Sequence, residues 1–160
     1  MIVVSDASVL ILLAKASQLT LLRALYGHVL LPRQVYDDVV IKGAGRVGAM
    51  EVQAADWLET RQVANVVLVK ELERNIDPGE AEAIALALEV RADLLLIDER
   101  RGRAIAASYG LNMTGVAGLL VEAKHSGLLP VVKPTLDLLI HSGYRLSDHL
   151  YQQILLATGE

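Results

Sequence analysis

The stretch ADLLLIDE (92–99) is a short apolar run that ends on two adjacent carboxylates, Asp98 and Glu99. A run of this length predicts a buried strand with an acid at its carboxyl end. The chain begins in the same way, since the run IVVS (2–5) is followed by Asp6. Helical segments separate the two runs, so we predict a parallel sheet covered by helices, with the strand ends meeting at one edge.

Helix signals occupy the intervening segments. Asp77-Pro78-Gly79 is a stop-and-start signal, and the run EAEAIALALEV (80–90) after it is rich in helix formers. Pro32 suits the first turn of a helix over 33–41, and Ser8 is predicted to cap a helix that runs to Lys15. Further helices are predicted at 19–25, 49–58, 99–108, 118–127, 134–143 and 147–157, and further strands at 29–31, 63–69 and 111–114.

These elements predict the fold class. We expect an α/β protein, built as a three-layer α/β/α sandwich with a central, mostly parallel sheet. One domain is expected over 1–160, in which residues 130–160 form a helical C-terminal extension.

The composition narrows the classes of protein. Hydrophobic residues make up 53% of the chain, with no Phe and one Trp, and such an aliphatic surplus favours self-association. Cysteine is absent, which excludes disulfides and thiolate sites and suits a cytoplasmic protein. No signal-peptide pattern and no apolar run of roughly 18 residues occurs, so we expect no membrane association. The net charge of −4 argues against nucleic-acid binding by bulk charge.

Asp6 and Asp98 have two interpretations. An Asp after a strand is often only a helix cap or a turn residue, because it accepts backbone N–H groups. Two strands that end in the same way at one sheet edge favour a shared site instead.

Glu80 strengthens the second interpretation. On a helical wheel it points to the same side as Ile84 and Leu88, which we expect to face the core. Glu82 and Glu89 point to the opposite side, which we expect to be solvated. An inward carboxylate is costly unless it is paired or binds metal, although the helix dipole also favours an acid in the first turn.

A cluster of carboxylates favours a divalent cation, because the acids repel one another without one. Mg²⁺ and Mn²⁺ prefer oxygen ligands, and they support phosphodiester hydrolysis by activating water and stabilising the leaving oxygen. Asp37 and Asp38 both flank the apolar side of the helix at 33–41, and geometry does not choose between them. Arg100 and Arg103 follow the acids and could clamp phosphates, or Arg103 could pair with Glu99 on a solvated helix face.

Other kinds of site lack support. The four histidines show no HxH or HExxH spacing, which argues against a zinc site. No GxGxxG, GxxxxGK[ST] or GxSxG pattern occurs, so phosphate-loop nucleotide binding and a serine nucleophile elbow are not indicated.

Two long segments resemble the PIN-domain superfamily, and more closely its prokaryotic branch that carries GEAEAI followed by a strand ending in two acids. They are VVSDASVLILLAKASQLTLLRALYGHVLLPRQVYDDVV (3–40) and DPGEAEAIALALEVRADLLLIDERRGRAIAASYGL (77–111). The resemblance covers nearly the whole chain, including the tail LLIHSGYRLS (138–147). It implies Mg²⁺- or Mn²⁺-dependent ribonuclease activity, often as the toxin of a toxin–antitoxin pair, and a homodimer.

The resemblance also assigns residues. The four catalytic acids that it implies are Asp6, Asp38, Glu80 and Asp98, and it thereby selects Asp38 over Asp37. Glu82 is a register-slipped alternative for the third acid. The predicted metal ligands are Asp6, Glu80, Asp98 and Glu99, and the predicted substrate-binding residues are Ser8, Arg100 and Arg103.

Four positions depart from the pattern of the family. Asp38 stands where Glu is usual, Glu80 where Asp is frequent, Glu99 where the branch often has Asp, and Leu96 where many members have Thr or Ser. Two hypotheses follow. The first is a metal-dependent endoribonuclease of the toxin kind that cuts RNA and has a protein antitoxin as its partner. The alternative is a PIN-like module that binds RNA or a protein without cutting.

Overall fold

Five parallel strands form one sheet in the computed structural model, which describes all residues from 1 to 160. They are, in chain order, β1 (Val3–Ser5), β2 (Val29–Pro32), β3 (Leu58–Arg61), β4 (Leu94–Leu96) and β5 (Met113–Thr114). The order across the sheet is β3-β2-β1-β4-β5, and every neighbouring pair is parallel. The predicted α/β/α class is confirmed, with a sheet that is wholly parallel.

Ten α-helices connect and cover the strands. They are α1 (Ala7–Lys15), α2 (Thr20–Tyr26), α3 (Arg33–Tyr36), α4 (Ala49–Ala54), α5 (Val66–Leu72), α6 (Pro78–Glu89), α7 (Arg100–Ser108), α8 (Val116–His125), α9 (Lys133–His141) and α10 (Asp148–Thr158). A π-helical segment, Asp37–Ile41, continues α3. No helix on its own is both long and apolar enough to span a bilayer. Helices α1 and α2 meet both criteria only when taken together, and they are bent by 117° relative to each other.

Alternate residues of each strand pack into two different apolar cores, because successive side chains of a strand point to opposite faces of the sheet. Val3 and Leu96 belong to the core beneath α1, α2, α8 and α9. Val4 and Leu95 belong to the core beneath α5, α6 and α7. Both faces of the sheet are therefore buried, as is usual for parallel sheets.

The strand that we predicted at 63–69 is wrong. Those residues lead into α5, and the third strand is Leu58–Arg61 instead. The Asn65 side chain caps the helix by accepting the Leu68 N–H at 3.1 Å. Glu89 of α6, predicted as a solvated residue, accepts the N–H groups of Ala64 and Asn65 at 2.9 and 2.6 Å. These acceptors fix a helix start that the β-branched run did not reveal.

The register brings the acidic strand ends together. Ser5 pairs with Leu96, so Asp6 and Asp98 emerge from neighbouring strands at the same edge. The chain leaves β1 towards β2 and β3 on one side, and later adds β4 and β5 on the other. The crevice between β1 and β4 is thus the topological switch point, where open α/β sheets place their sites.

Candidate functional site

Asp6 lies at the carboxyl end of the central strand and is 1% exposed. Its Oδ1 accepts the Val9 N–H at 3.0 Å and caps α1, so the cap that we predicted at Ser8 is wrong by two residues. The Oδ2 atom is enclosed and has no hydrogen-bond partner. One oxygen of Asp6 therefore caps a helix, while the other is free to meet a ligand.

Glu80 lies in the first turn of α6 and is 7% exposed, so its predicted inward direction is confirmed. Asp77 caps this helix, because its Oδ1 accepts the Glu80 N–H at 2.8 Å. Glu80 Oε2 is enclosed without a partner and lies against Gly102 of α7, where a β-carbon would be 2.6 Å away. Glu82 is half-buried rather than solvated, and it accepts the Gln34 N–H of α3 at 3.2 Å.

Asp98 follows β4 and is held from two sides. Its Oδ2 accepts the Val116 N–H at the start of α8 at 2.9 Å. Its Oδ1 accepts a hydrogen bond from the Tyr144 hydroxyl, which reaches in from the α9–α10 loop at 3.0 Å. The carboxylate rests on Gly115, where a β-carbon would be 2.5 Å from Oδ1. Asp98 thus bonds the helix beside it in space and not α7, which follows it in sequence.

Asp38 lies in the π-helical segment and faces the start of α6. Its Oδ2 would be 3.1 Å from a β-carbon on Gly79, and its Oδ1 lies 3.5 Å from Lys42 Nζ. Asp37 instead pairs with Arg33 at 3.0 Å. The fold therefore places the Asp38 carboxylate against the first turn of the helix that carries Glu80, while Asp37 is held by Arg33. Wide π turns are frequent at functional sites.

The remaining predicted residues line or back a groove of about 760 Å³ beside Asp98. Ser8, Glu99 and Arg100 are exposed along it. Arg103 turns inward, and its Nη1 donates to the Ile97 carbonyl at 2.9 Å. The alternative that Arg103 pairs with Glu99 is wrong, because no ion pair joins them. The substrate and metal roles of these residues stay predictions.

Burial raises the pKa values of the enclosed carboxyl groups. Burial, aided by the charge of Asp98, raises the pKa of Asp6 to about 7, although the hydrogen bond that Asp6 accepts opposes the change. Burial, followed by Asp77 and the charge of Asp6, raises the pKa of Glu80 to about 8. The pKa of Asp98 is also raised by burial, against two accepted hydrogen bonds. Near neutral pH the cluster therefore holds protons unless a cation replaces them.

The donor set suits a hard divalent cation, because every candidate ligand is a carboxylate oxygen. Two of these oxygens, Asp6 Oδ2 and Glu80 Oε2, lack the partner that a buried polar atom normally has. As the side chains stand, no group of three or more His, Asp or Glu is arranged to hold an ion. The residues fit the chemistry of such an ion, and binding it requires carboxylate side chains to rotate.

Two residues of the cluster were missed by the sequence analysis. Asp77 was recognised only as part of a stop-and-start signal, although its position three residues before Glu80 is that of a capping acid. Tyr144 lies in the tail that resembles the family, but nothing in the sequence indicated its contact with Asp98, which joins residues 46 apart. Only the packing of the last two helices brings that hydroxyl to the sheet edge.

A family model described as a PIN domain matches residues 2–160. The match includes both acidic strand ends, the helix that begins at Pro78 and the last two helices. No curated protein matches the chain.

Proposed function

This chain belongs to the PIN-domain family, and from that premise we propose that it is a Mg²⁺- or Mn²⁺-dependent endoribonuclease. PIN domains are generally nucleases, which supports a hydrolase. The observation that carries the proposal is the pair of enclosed, unpartnered oxygens, Asp6 Oδ2 and Glu80 Oε2, at the switch point of the sheet. A buried carboxylate without a partner is costly unless a cation meets it.

The acids divide the work in this proposal. Asp6, Glu80 and Asp98, with Glu99 beside them, would hold the ion, and Asp38 would complete the catalytic acids from the π-helical segment. A divalent ion supplies an activated water and stabilises negative charge on the leaving oxygen. The chain itself orients Asp98 through the Val116 N–H and the Tyr144 hydroxyl.

In this proposal the substrate lies in the groove beside Asp98. Ser8 and Arg100 line it and would meet the RNA backbone. Arg103 would act from behind Asp98, where its positive charge opposes in part the rise in the pKa of that carboxyl that burial causes. A guanidinium can form two parallel N–H···O bonds with a carboxylate or a phosphate.

The test is cleavage of a labelled single-stranded RNA with Mg²⁺ or Mn²⁺. We expect Asp6→Asn and Asp98→Asn each to lower the rate by at least about 100-fold, because each removes an oxygen charge at the centre of the site. Asp37→Asn is the matched control for Asp38→Asn, since Asp37 pairs with Arg33. Unchanged cleavage in both the Asp6 and Asp98 variants would contradict the proposal.

A second candidate is a PIN-like module that binds RNA or a protein without cutting. The observation in its favour is that no three acids stand in position for an ion. Calorimetry with Mn²⁺ separates the two. A folded protein that binds RNA and takes up no Mn²⁺ would favour the second candidate.

The proposal includes two protein partners, an antitoxin and a second copy of this chain. We infer a cytoplasmic toxin with a protein antitoxin, and a homodimer. The apolar side chains of Met50, Val67 and Leu156, which are 77%, 81% and 84% exposed, support association with another chain. Sedimentation velocity of the purified chain at several concentrations tests the dimer, and a monomer at all of them would refute it.

A further inference from the structure

The groove beside Asp98 has three walls of different origin. The first turns of α1 and α7 contribute Ser8 and Arg100, and the last turn of α1 contributes Lys15. The third wall is the loop 142–147 between α9 and α10, which contributes Tyr144 and Arg145. A segment about 45 residues after the last strand-end acid thus completes the surroundings of that acid.

The loop is held at both ends and in its middle. The Tyr144 N–H donates to the Leu139 carbonyl at 2.9 Å, which ties the loop to the end of α9. Ser147 caps α10, because its Oγ accepts the Leu150 N–H at 3.1 Å. Gly143 has a φ of +105°, which turns the chain between these anchors. Such a segment presents its side chains in fixed directions.

Side chains alternate along the loop. Tyr144 and Leu146 are half-buried and pack against the core under α1 and α8. Arg145 lies between them, is exposed and lines the groove. Because its two neighbours are anchored in the core, the Arg145 side chain is directed out of the loop and into the groove.

The groove is lined by two carboxylates at its inner end, Asp98 and Glu99, and by three cations that form no ion pair. Lys15, Arg100 and Arg145 form no ion pair within 4.0 Å, unlike the paired Arg33, Arg61 and Lys133 elsewhere on the surface. The chain as a whole has a net charge of −4, so this cluster is local. Three unpaired cations around an open groove favour the phosphates of a nucleic-acid backbone.

Tyr144 contributes to the same wall in a different way. Its hydroxyl donates to Asp98 Oδ1 while the Val116 N–H donates to Oδ2, so the carboxylate is fixed from two elements. Residues that orient a ligand or catalytic group commonly affect activity by 10- to 100-fold or so. The loop therefore touches both the groove and the acid at its inner end.

We propose that the α9–α10 loop positions an RNA strand in the groove. Arg145, together with Lys15 and Arg100, binds a backbone phosphate of single-stranded RNA, while Tyr144 orients Asp98. The inference rests on the proposed nuclease function. Arg145 determines where the RNA strand lies, and Tyr144 determines the orientation of the Asp98 carboxylate. Tyr144 is a positioning residue because it acts through Asp98.

The Arg145 arm is tested by binding alone. Fluorescein-labelled single-stranded RNA is titrated into full-length Asp6→Asn protein and the same protein with Arg145→Ala, and anisotropy is recorded at several salt concentrations. We expect about a 3- to 10-fold weaker affinity and a salt slope smaller by about 0.7, the value for one phosphate contact on a single strand. Arg23→Ala, which removes an exposed, unpaired charge on α2 outside the groove, is expected to change neither.

The Tyr144 arm is tested by kinetics in the otherwise unaltered protein. We expect Tyr144→Phe to lower kcat by about 10-fold or more with little change in KM, because the ring and its packing remain and only the bond to Asp98 is lost. Tyr109→Phe, on an exposed ring, is the matched control. Circular dichroism melting confirms that each variant is folded.

The outcomes separate the inference from the function. RNA cleavage by the wild type, with Arg145→Ala binding as tightly as its parent and Tyr144→Phe unchanged in kcat, would overturn the inference and leave the nuclease intact. A wild type that does not cut, with binding still weakened by Arg145→Ala and not by Arg23→Ala, would refute the nuclease and support the strand-binding role of the loop.

Discussion

The two oxygens of Asp6 have different surroundings, and this difference has a thermodynamic consequence. Oδ1 accepts the Val9 N–H, while Oδ2 is enclosed and has no hydrogen-bond donor. Burial first, and then the nearby acid charge, raises the pKa of Asp6 to about 7 from 3.8. The folded protein therefore binds a proton that the unfolded chain releases at lower pH.

The first prediction is a stability that falls with rising pH in the absence of metal. The folded pKa values of Asp6 and Glu80, about 7 and about 8, lie above their unfolded values, so the stability present at pH 4 is lost as pH rises to 8. One pKa unit corresponds to about 1.4 kcal/mol, so Asp6 contributes a loss on the order of 2 to 4 kcal/mol.

Urea unfolding at pH 4 and 8.5 with a chelator measures that loss. Asp6→Asn is expected to flatten the pH dependence, because its amide can keep the cap and cannot ionise. The change in unfolding free energy with pH is determined separately for each protein, so any pH-independent destabilisation by the amide cancels. A variant with the slope of the wild type would show that Asp6 ionises normally in the folded protein.

Glu80 rests on Gly102 of α7, and this close contact gives the second prediction. A β-carbon on Gly102 would lie 2.6 Å from Glu80 Oε2 and 2.8 Å from Ile97 Cδ1. Gly102→Ala must displace the carboxylate, so we expect Mn²⁺ affinity to fall by about 10-fold or more. Helix propensity favours Ala by about 1 kcal/mol, which offsets overpacking and keeps the change in unfolding free energy small.

Gly118→Ala is the control, since it also adds a methyl group to a helix but meets only the Thr114 hydroxyl, 2.5 Å away. Calorimetry with Mn²⁺ compares the two variants. Equal affinities would mean that Glu80 is not part of the metal site.

The residue pattern predicted much of this cluster, and its limits are physical. Asp6 and Asp98 were located because apolar runs and the parallel-sheet rule put them at one edge, and Glu80 because of its side of a helix. Asp38 needed the resemblance to a family, since a helical wheel could not anticipate a π turn. Tyr144 could not be predicted, because its contact depends on how two terminal helices pack.

At the scale of elements, side chains that accept backbone N–H groups determine where two helices begin, which intrinsic helix and strand propensities did not predict. The run VANVVLV (63–69) has the β-branched residues of a strand, yet it enters α5. Glu89 accepts the N–H groups of the two residues before that helix, and Asn65 caps its first turn by accepting the Leu68 N–H. The strand beside it, Leu58–Arg61, is short and mixed in polarity. Local preference was overridden by acceptors that are distant in the sequence.

Glu160 does the same for α9, which gives the third prediction. Its carboxylate accepts the N–H groups of Val132 and Lys133 at 2.9 and 3.0 Å and pairs with Lys124 at 3.0 Å. These backbone N–H bonds are the main cause that lowers the pKa of Glu160 to about 2. α9 leads into the loop that holds Tyr144.

Glu160→Gln is therefore expected to melt at a lower temperature than the wild type at pH 7. A lowered pKa means stability that is present above the unfolded value of 4.5 and lost as pH falls towards 2. The gap between the two proteins should accordingly close over that window. Melting curves at pH 7, 4 and 2.5 measure it, and a gap that is constant with pH would exclude the charged cap as its cause.

At the scale of the whole molecule, the sheet order explains why the acids meet. Both faces of the sheet are covered, and the acids lie at the carboxyl edge of the sheet, at the switch point between β1 and β4. Acids from three separate segments converge there, and the unfolded chain does not hold them together. Metal binding should consequently be linked to folding.

The fourth prediction concerns that linkage. Mn²⁺ is expected to raise the melting temperature, and to raise it more at pH 8 than at pH 6, because protons on Asp6 and Glu80 compete with the cation at the lower pH. At 100 times the Kd, a ligand specific for the folded state adds about 2.7 kcal/mol. Calorimetry at pH 7 in buffers of different ionisation enthalpy should also show proton release on binding. An equal shift at both pH values, without proton release, would mean that the ion binds away from the buried acids.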